Sequence, residues 1–113
     1  KLFKLDNQLI MSLIPKSITT PIGIELSSQL GGIPSITVAA IVITGIVGAV
    51  MGPAFCRITG IKDSVAVGVA IGTSAHALGT TKAIEIGEVE GAMSGLSIGI
   101  AGIVTVIISV ILF

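Results

Sequence analysis

Residues Ile36 to Phe55 read ITVAAIVITGIVGAVMGPAF, about 20 residues in succession without a charge. A helix of that length spans about 30 Å, the thickness of a bilayer's hydrocarbon core. β-branched Ile and Val dominate the run, which in water would hint at buried strands. Strands usually run only about 5–6 residues, so a membrane-crossing helix fits better. Working outward, Ala92 to Phe113 is a second charge-free run of similar length.

The bulk composition agrees with these two runs. Of 113 residues, 52% are hydrophobic and 11% charged, with a mean hydropathy of +1.11. Soluble domains carry about 25% charged residues, and disorder needs low hydrophobicity. Six basic and six acidic residues cancel, so no basic surplus exists to hold nucleic acid. Cys56 is alone, which excludes an intrachain disulfide and a Cys-based metal site; it reads as a small buried residue. No metal or cofactor is expected. The chain opens at Lys1 and ends inside an apolar run. The expectation is therefore a single transmembrane domain over 1–113, cut from a longer protein.

Two further stretches are apolar but interrupted. Leu9 to Leu30 contains Pro15-Lys16-Ser17-Ile18-Thr19-Thr20-Pro21. Each proline removes a backbone donor and disfavours helix at the residue before it. Ser64 to Lys82 begins apolar and then turns small and polar, through Gly72, Thr73, Ser74, His76, Gly79, Thr80 and Thr81. Broken backbone is tolerated in lipid only where protein or a watery cavity covers it. The expected fold class is an all-α membrane protein. It is a multi-span helical bundle with two intact transmembrane helices and two broken helices, discontinuous or re-entrant. Discontinuous helices near the midplane point to a transporter's binding site.

The connections set the expected sidedness. If all four segments cross, Lys1, Lys4, Arg57 and Lys62 share one side. Lys82, Glu85, Glu88 and Glu90 share the other with the Gly31–Pro34 turn. The positive-inside rule places the first group in the cytoplasm. A re-entrant hairpin over Ser64–Lys82 would move the glutamates to the cytoplasm instead. The Lys82–Gly91 stretch reads as a wet loop, with an i,i+3 Lys82–Glu85 pair. Gly91, Gly95, Gly99 and Gly102 form a ladder expected to pack helices closely, more than the pairs Gly48/Gly52 and Gly68/Gly72. Gly72 and Gly79 are expected to bend their segment.

Few residues bear chemistry. Gly95-Leu96-Ser97-Ile98-Gly99 has the spacing of a hydrolase nucleophile elbow, but no acid and no His follow it. Ser97 is instead expected to bond back to its own helix, and no enzyme is expected. His76 is either a hydrogen-bonded residue in a tight niche or a titratable group on a substrate or proton path. Lys16 either holds an anionic substrate or snorkels to an interface. Ser17, Thr19 and Thr20 set hydroxyls beside backbone freed by the prolines. A half-helix N-terminus there would offer N–H groups to an anion. Ser74, Thr80, Thr81 and Lys82 repeat that chemistry.

At these two breaks the sequence resembles the LrgB/CidB family. The resemblance rests on Pro15-Lys16-Ser17-Ile18-Thr19-Thr20-Pro21, on Gly31-Gly32-Ile33-Pro34, and on Ser74-Ala75-His76-Ala77-Leu78-Gly79-Thr80 followed by Glu88-Val89-Glu90-Gly91. It covers nearly the whole chain, and Ala77 and Thr81 depart from it. The resemblance implies the C-terminal half of a multi-pass bacterial inner-membrane protein. It implies two functions. One is transport of small carboxylates of the glycolate, glycerate or pyruvate class. The other is a holin-like or antiholin-like role in murein hydrolase export, cell lysis and programmed cell death. Implied partners are the lipid bilayer, the missing N-terminal half, and further copies or an LrgA/CidA-type membrane protein. The candidate substrate-binding residues are Pro15, Lys16, Ser17, Thr19, Thr20, Pro21, Ser74, His76, Gly79 and Thr80. Lys16 would supply charge, the hydroxyls and N–H groups orientation, and His76 a proton. A structural subunit without flux of its own is the plainer alternative.

Overall fold

The computed structural model describes residues 6–113, so Lys1 and Lys4 lie outside the described residues. Every regular element among the described residues is a helix: α1 (Asn7–Leu13), a 3-10 turn (Ile14–Ser17), α2 (Thr20–Gln29), α3 (Pro34–Ile58), α4 (Ser64–Ile86) and α5 (Glu88–Leu112). Local chemistry sets the boundaries. Pro34 opens α3 with its φ already helical. Asp63 caps α4, its carboxylate accepting from the Ala66 N–H at 2.8 Å. Gly31 (φ 78) and Gly60 (φ 74) close α2 and α3 in the left-handed region.

α3 and α5 are each 25 residues long, with hydropathies of 2.2 and 2.5, long and apolar enough to cross a membrane. Only 17% of either apolar window is buried, whereas the core helix of a soluble protein is mostly buried. Val50 is 71% exposed, Ile58 83% and Ile111 75%. Apolar surface on this scale needs a non-aqueous neighbour.

The chain reverses direction inside α4. His76 has φ 49 and ψ −135, and the arms on either side, 64–75 and 77–86, lie side by side. A Cβ on Gly79 would stand 2.9 Å from the Ile71 carbonyl oxygen, yet residues eight apart in a straight helix are separated by about 12 Å. Val67, Ile71 and Ala83 share one buried cluster with Cys56. α5 records the same reversal. Gly68 abuts Glu90 and Gly72 abuts Ser94 along the first arm; Thr80 reaches Ser94 and Ile84 reaches Gly91 along the second. The bend is at His76 itself. Gly72 and Gly79 do not bend the segment as expected; they let the arms and α5 approach.

α1 and α2 form a second hairpin. Its tip is the 3-10 turn with Ile18 (φ −131, ψ 178) and Thr19 (φ −66, ψ 148) in extended conformation. Its base is tied by a buried polar knot. The Thr37 hydroxyl lies 2.7 Å from both the Ser12 carbonyl oxygen and Ser27 Oγ and shares its one proton between them. Ser12 Oγ accepts from the Ile33 N–H at 2.6 Å and donates to the Gln8 carbonyl at 2.7 Å.

α3 is the spine on which both hairpins stack. Thr37 meets Ser12 and Ser27, Ile41 meets Gly23, Gly45 meets Leu78, Gly48 meets Ala75, and Gly52 meets Ile71. The α1–α2 hairpin thus covers the first half of α3, the α4 hairpin covers the second half, and the tips meet near its middle. α5 runs the other way, starting beside the α4 hairpin and reaching Ile22 of α2 at Gly102. Residues 7–58 and 64–112 are therefore two units of one kind, each a hairpin followed by a 25-residue helix. The units point in opposite directions.

Three expectations change. The Lys82–Gly91 stretch is not a loop, because α4 and α5 are separated by Gly87 alone; the acidic residues sit in helix ends, where Glu88 and Glu90 favour the positive N-terminal dipole of α5. Lys82 and Glu85 share a groove with Arg57, so these charges gather at one end rather than opposite ends. The glycine ladder divides. Gly91 abuts Ile84 and Gly102 abuts Ile22, but nothing lies within 4 Å of a Cβ at Gly95 or Gly99. Close approach instead falls at Gly68 and Gly72, where a Cβ would come 2.5 Å from the Glu90 and Ser94 carbonyl oxygens.

This packing has a measurable consequence. Gly72→Val pushes a branched side chain into the α5 backbone and should cost about 1–3 kcal/mol. Gly95→Val should change stability by less than about 0.5 kcal/mol. Thermal unfolding of the detergent-solubilised chain compares them, and equal losses would show that the α4–α5 register is different.

Candidate functional site

Where the hairpin tips meet, they border a half-open pocket of about 410 Å³. Thr19 and Thr20 line it from one tip, and Ala75, His76, Ala77 and Leu78 from the other. Ile41, Val42, Gly45 and Ile46 of α3 form the wall between them.

Each tip brings a helix N-terminus to this cavity. α2 starts at Thr20, and its N-cap Thr19 makes no side-chain capping bond. The second arm of α4 starts just after His76. The first N–H groups of a helix have no intrahelical partner. Two ten-residue helices therefore point their positive dipole ends at one space, and α2 adds N–H groups that its N-cap side chain leaves free.

His76 is the buried polar group of the site. Its residue is 4% exposed, and neither ring nitrogen has a hydrogen-bond partner among the described residues. Buried polar groups without partners are rare. The 3-10 turn that carries Lys16 and Ser17 packs against α4 from the facing tip. The backbone is unusual as well: His76 is the one non-glycine residue with positive φ among the described residues. Such a conformation costs of order 1–3 kcal/mol and persists only where the surroundings enforce it. The enforcement is visible. The Thr80 hydroxyl donates to the His76 carbonyl at 3.0 Å and lies 2.7 Å from Ser94 Oγ, which ties the tip to α5.

The candidate residues divide by place. Thr19, Thr20 and His76 line the pocket; Lys16 and Ser17 do not, and stand in the 3-10 turn of the same tip, ahead of Thr19. Lys16 is exposed, its ammonium donating to Ser17 Oγ at 3.2 Å. The others stand apart from the cavity. Pro15 is buried, its carbonyl oxygen facing Gly23. Pro21 lines a separate groove with Glu25 and Val106. Ser74 bonds back to the Ala70 carbonyl at 2.7 Å. Gly79 and Thr80 hold the arm against its neighbours. Ser97 bonds back to the Met93 carbonyl at 2.7 Å, and Lys82 pairs with Glu85 at 2.8 Å, both as expected. The α3 wall was missed; its only signal in the sequence is Gly45 near the centre of a bulky apolar run. No group of His, Cys, Asp or Glu among the described residues has a metal-binding arrangement.

Comparison with known proteins adds identity to this geometry. The sequence profile of the LrgB-like family matches residues 1–113. The chain is 43% identical over 101 residues to Uncharacterized protein YxaC of Bacillus subtilis (strain 168), covering 89% of the chain and 44% of that protein. It is 42% identical over 105 residues to Uncharacterized protein YwbG of the same strain, covering 93% and 47%. It is 37% identical over 108 residues to Antiholin-like protein LrgB of Bacillus cereus (strain B4264), covering 96% and 47%. The chain thus spans about half the length of the curated relatives it matches. No solved structure matches it. A profile matched from end to end and relatives of this identity make the chain a member of the LrgB-like family.

Proposed function

We propose that this chain is part of a multi-pass cell-membrane transporter for small carboxylates. α3 and α5 cross the bilayer as intact helices, while the two hairpins re-enter from opposite faces and meet at mid-depth. The observation that carries this reading is the meeting of the tips: the uncapped N-terminus of α2, the start of the second arm of α4 and an unpartnered, buried His76 share one pocket. Apolar surroundings strengthen such donors toward a carboxylate, and Lys16 supplies the nearby full charge. Half-helices that present N-termini to an anion at the midplane are a known way for transporters to hold substrates. Arg57, Lys62 and Lys82 belong to one end of the molecule, which the positive-inside rule sets in the cytoplasm.

The relatives' name, Antiholin-like protein LrgB, supports a second reading, a regulator of lysis that oligomerises and alters permeability. The open face of α5 at Gly95 and Gly99 suits a helix partner in that case.

Flux of radiolabelled glycolate or pyruvate into liposomes holding the full-length protein tests the first reading. Lys16→Met removes a charge-assisted contact and should raise KM about ten-fold or more. Unchanged flux in that variant would sink the site. Release of a large trapped dye, insensitive to Lys16→Met but lost in Gly95→Leu, would support the second reading instead.

His76→Gly separates the ring from the bend. Glycine adopts positive φ at no steric cost, so this variant should melt within about 1 kcal/mol of the parent, or higher. It should still lose transport. His76→Ala keeps the parent's backbone strain, so it should lose transport without the gain in stability that glycine can bring. Normal flux in His76→Gly would remove the ring from the site.

A further inference from the structure

The end of the molecule that carries Arg57 has a feature the transport cavity does not use. A groove of about 440 Å³ opens between the last turns of α3 and the second arm of α4. Its wall is apolar, formed in part by Val50, Pro53 and Ile86, with Arg57 and Lys82 among its lining residues. Val50 is 71% exposed and Ile86 47%. The two cations differ in state. Lys82 is already paired with Glu85 at 2.8 Å. Arg57 has no carboxylate partner among the described residues; its Nε makes one long contact, 3.5 Å, to the Pro53 carbonyl. A guanidinium has five donors and fits a phosphate in a fork. A neighbouring groove shares Pro53, Arg57 and Ile86 and adds Lys62 and Glu90, so Arg57 stands between two grooves.

We propose that this groove binds an anionic phospholipid, with Arg57 on the phosphate and an acyl chain along the Val50–Pro53–Ile86 wall. The inference rests on the membrane placement proposed above, in which α3 ends at the level of the headgroups. A soluble phosphate would satisfy Arg57 and leave the apolar wall uncovered, whereas a phospholipid matches both at once. Basic pockets between helices on the cytoplasmic side are recognised sites for acidic headgroups. Glu85 acts as a brake, because it neutralises the second cation.

The test uses the full-length protein reconstituted in bilayers of phosphatidylcholine and phosphatidylglycerol, with spin-labelled lipids of each type. Stable incorporation into pure phosphatidylcholine checks the placement alone. The site is then read from headgroup preference. Wild type should retain phosphatidylglycerol over phosphatidylcholine by about five-fold or more for the free cation. Arg57→Gln should bring the ratio close to one. Glu85→Gln, which frees Lys82, should raise it, an outcome that a damaged fold would not produce. Equal retention in wild type, or an unchanged ratio in Arg57→Gln, overturns the proposal. So does loss of the preference to inorganic phosphate but not to chloride at equal ionic strength, which would assign the groove to a free anion.

Discussion

A backbone that breaks inside apolar surroundings must find partners for every N–H and C=O the break releases. That constraint organises this chain. Both hairpins are secured by small hydroxyl residues. Ser12, Ser27 and Thr37 tie the base of the first to α3. Thr80 and Ser94 tie the second to α5 beside the His76 carbonyl. These residues are compact enough to leave helix contacts close, and glycine does the rest where α4 meets α5. The polar groups left over, two helix N-termini and one imidazole, are concentrated in a single cavity.

The sequence made some of this legible and hid the rest, for physical reasons. Pro15 and Pro21 act locally, through a fixed φ and a missing donor, so the first break can be read from them alone. The second break cannot. Gly72 and Gly79 looked like its hinge, yet the positive φ falls on His76. Tertiary packing of Gly79 on Ile71 and Ala75 overrides what the residue types prefer. Glycine spacing likewise names a helix face without saying what it meets: the Gly91–Gly102 ladder is half open. Clustered glutamates suit a solvated loop and a helix end equally, because helix ends also carry charge.

Sidedness shows the same limit. Counting crossings from hydropathy assumes that each apolar segment travels one way. The α4 segment is long enough to cross and instead turns back, which carries Lys82 and Glu85 to the end that holds Arg57. One backbone angle pair, at one residue, decides which charges are neighbours.

The opposed direction of the two units has a consequence for insertion. Turned end over end, hairpin-plus-helix followed by its inverse looks much like itself. The apolar body therefore holds almost no information about which way up it belongs. Among the described residues, Arg57, Lys62 and Lys82 break that likeness by gathering at one end. Replacing them would weaken a cue to orientation while leaving the packing between the two units untouched.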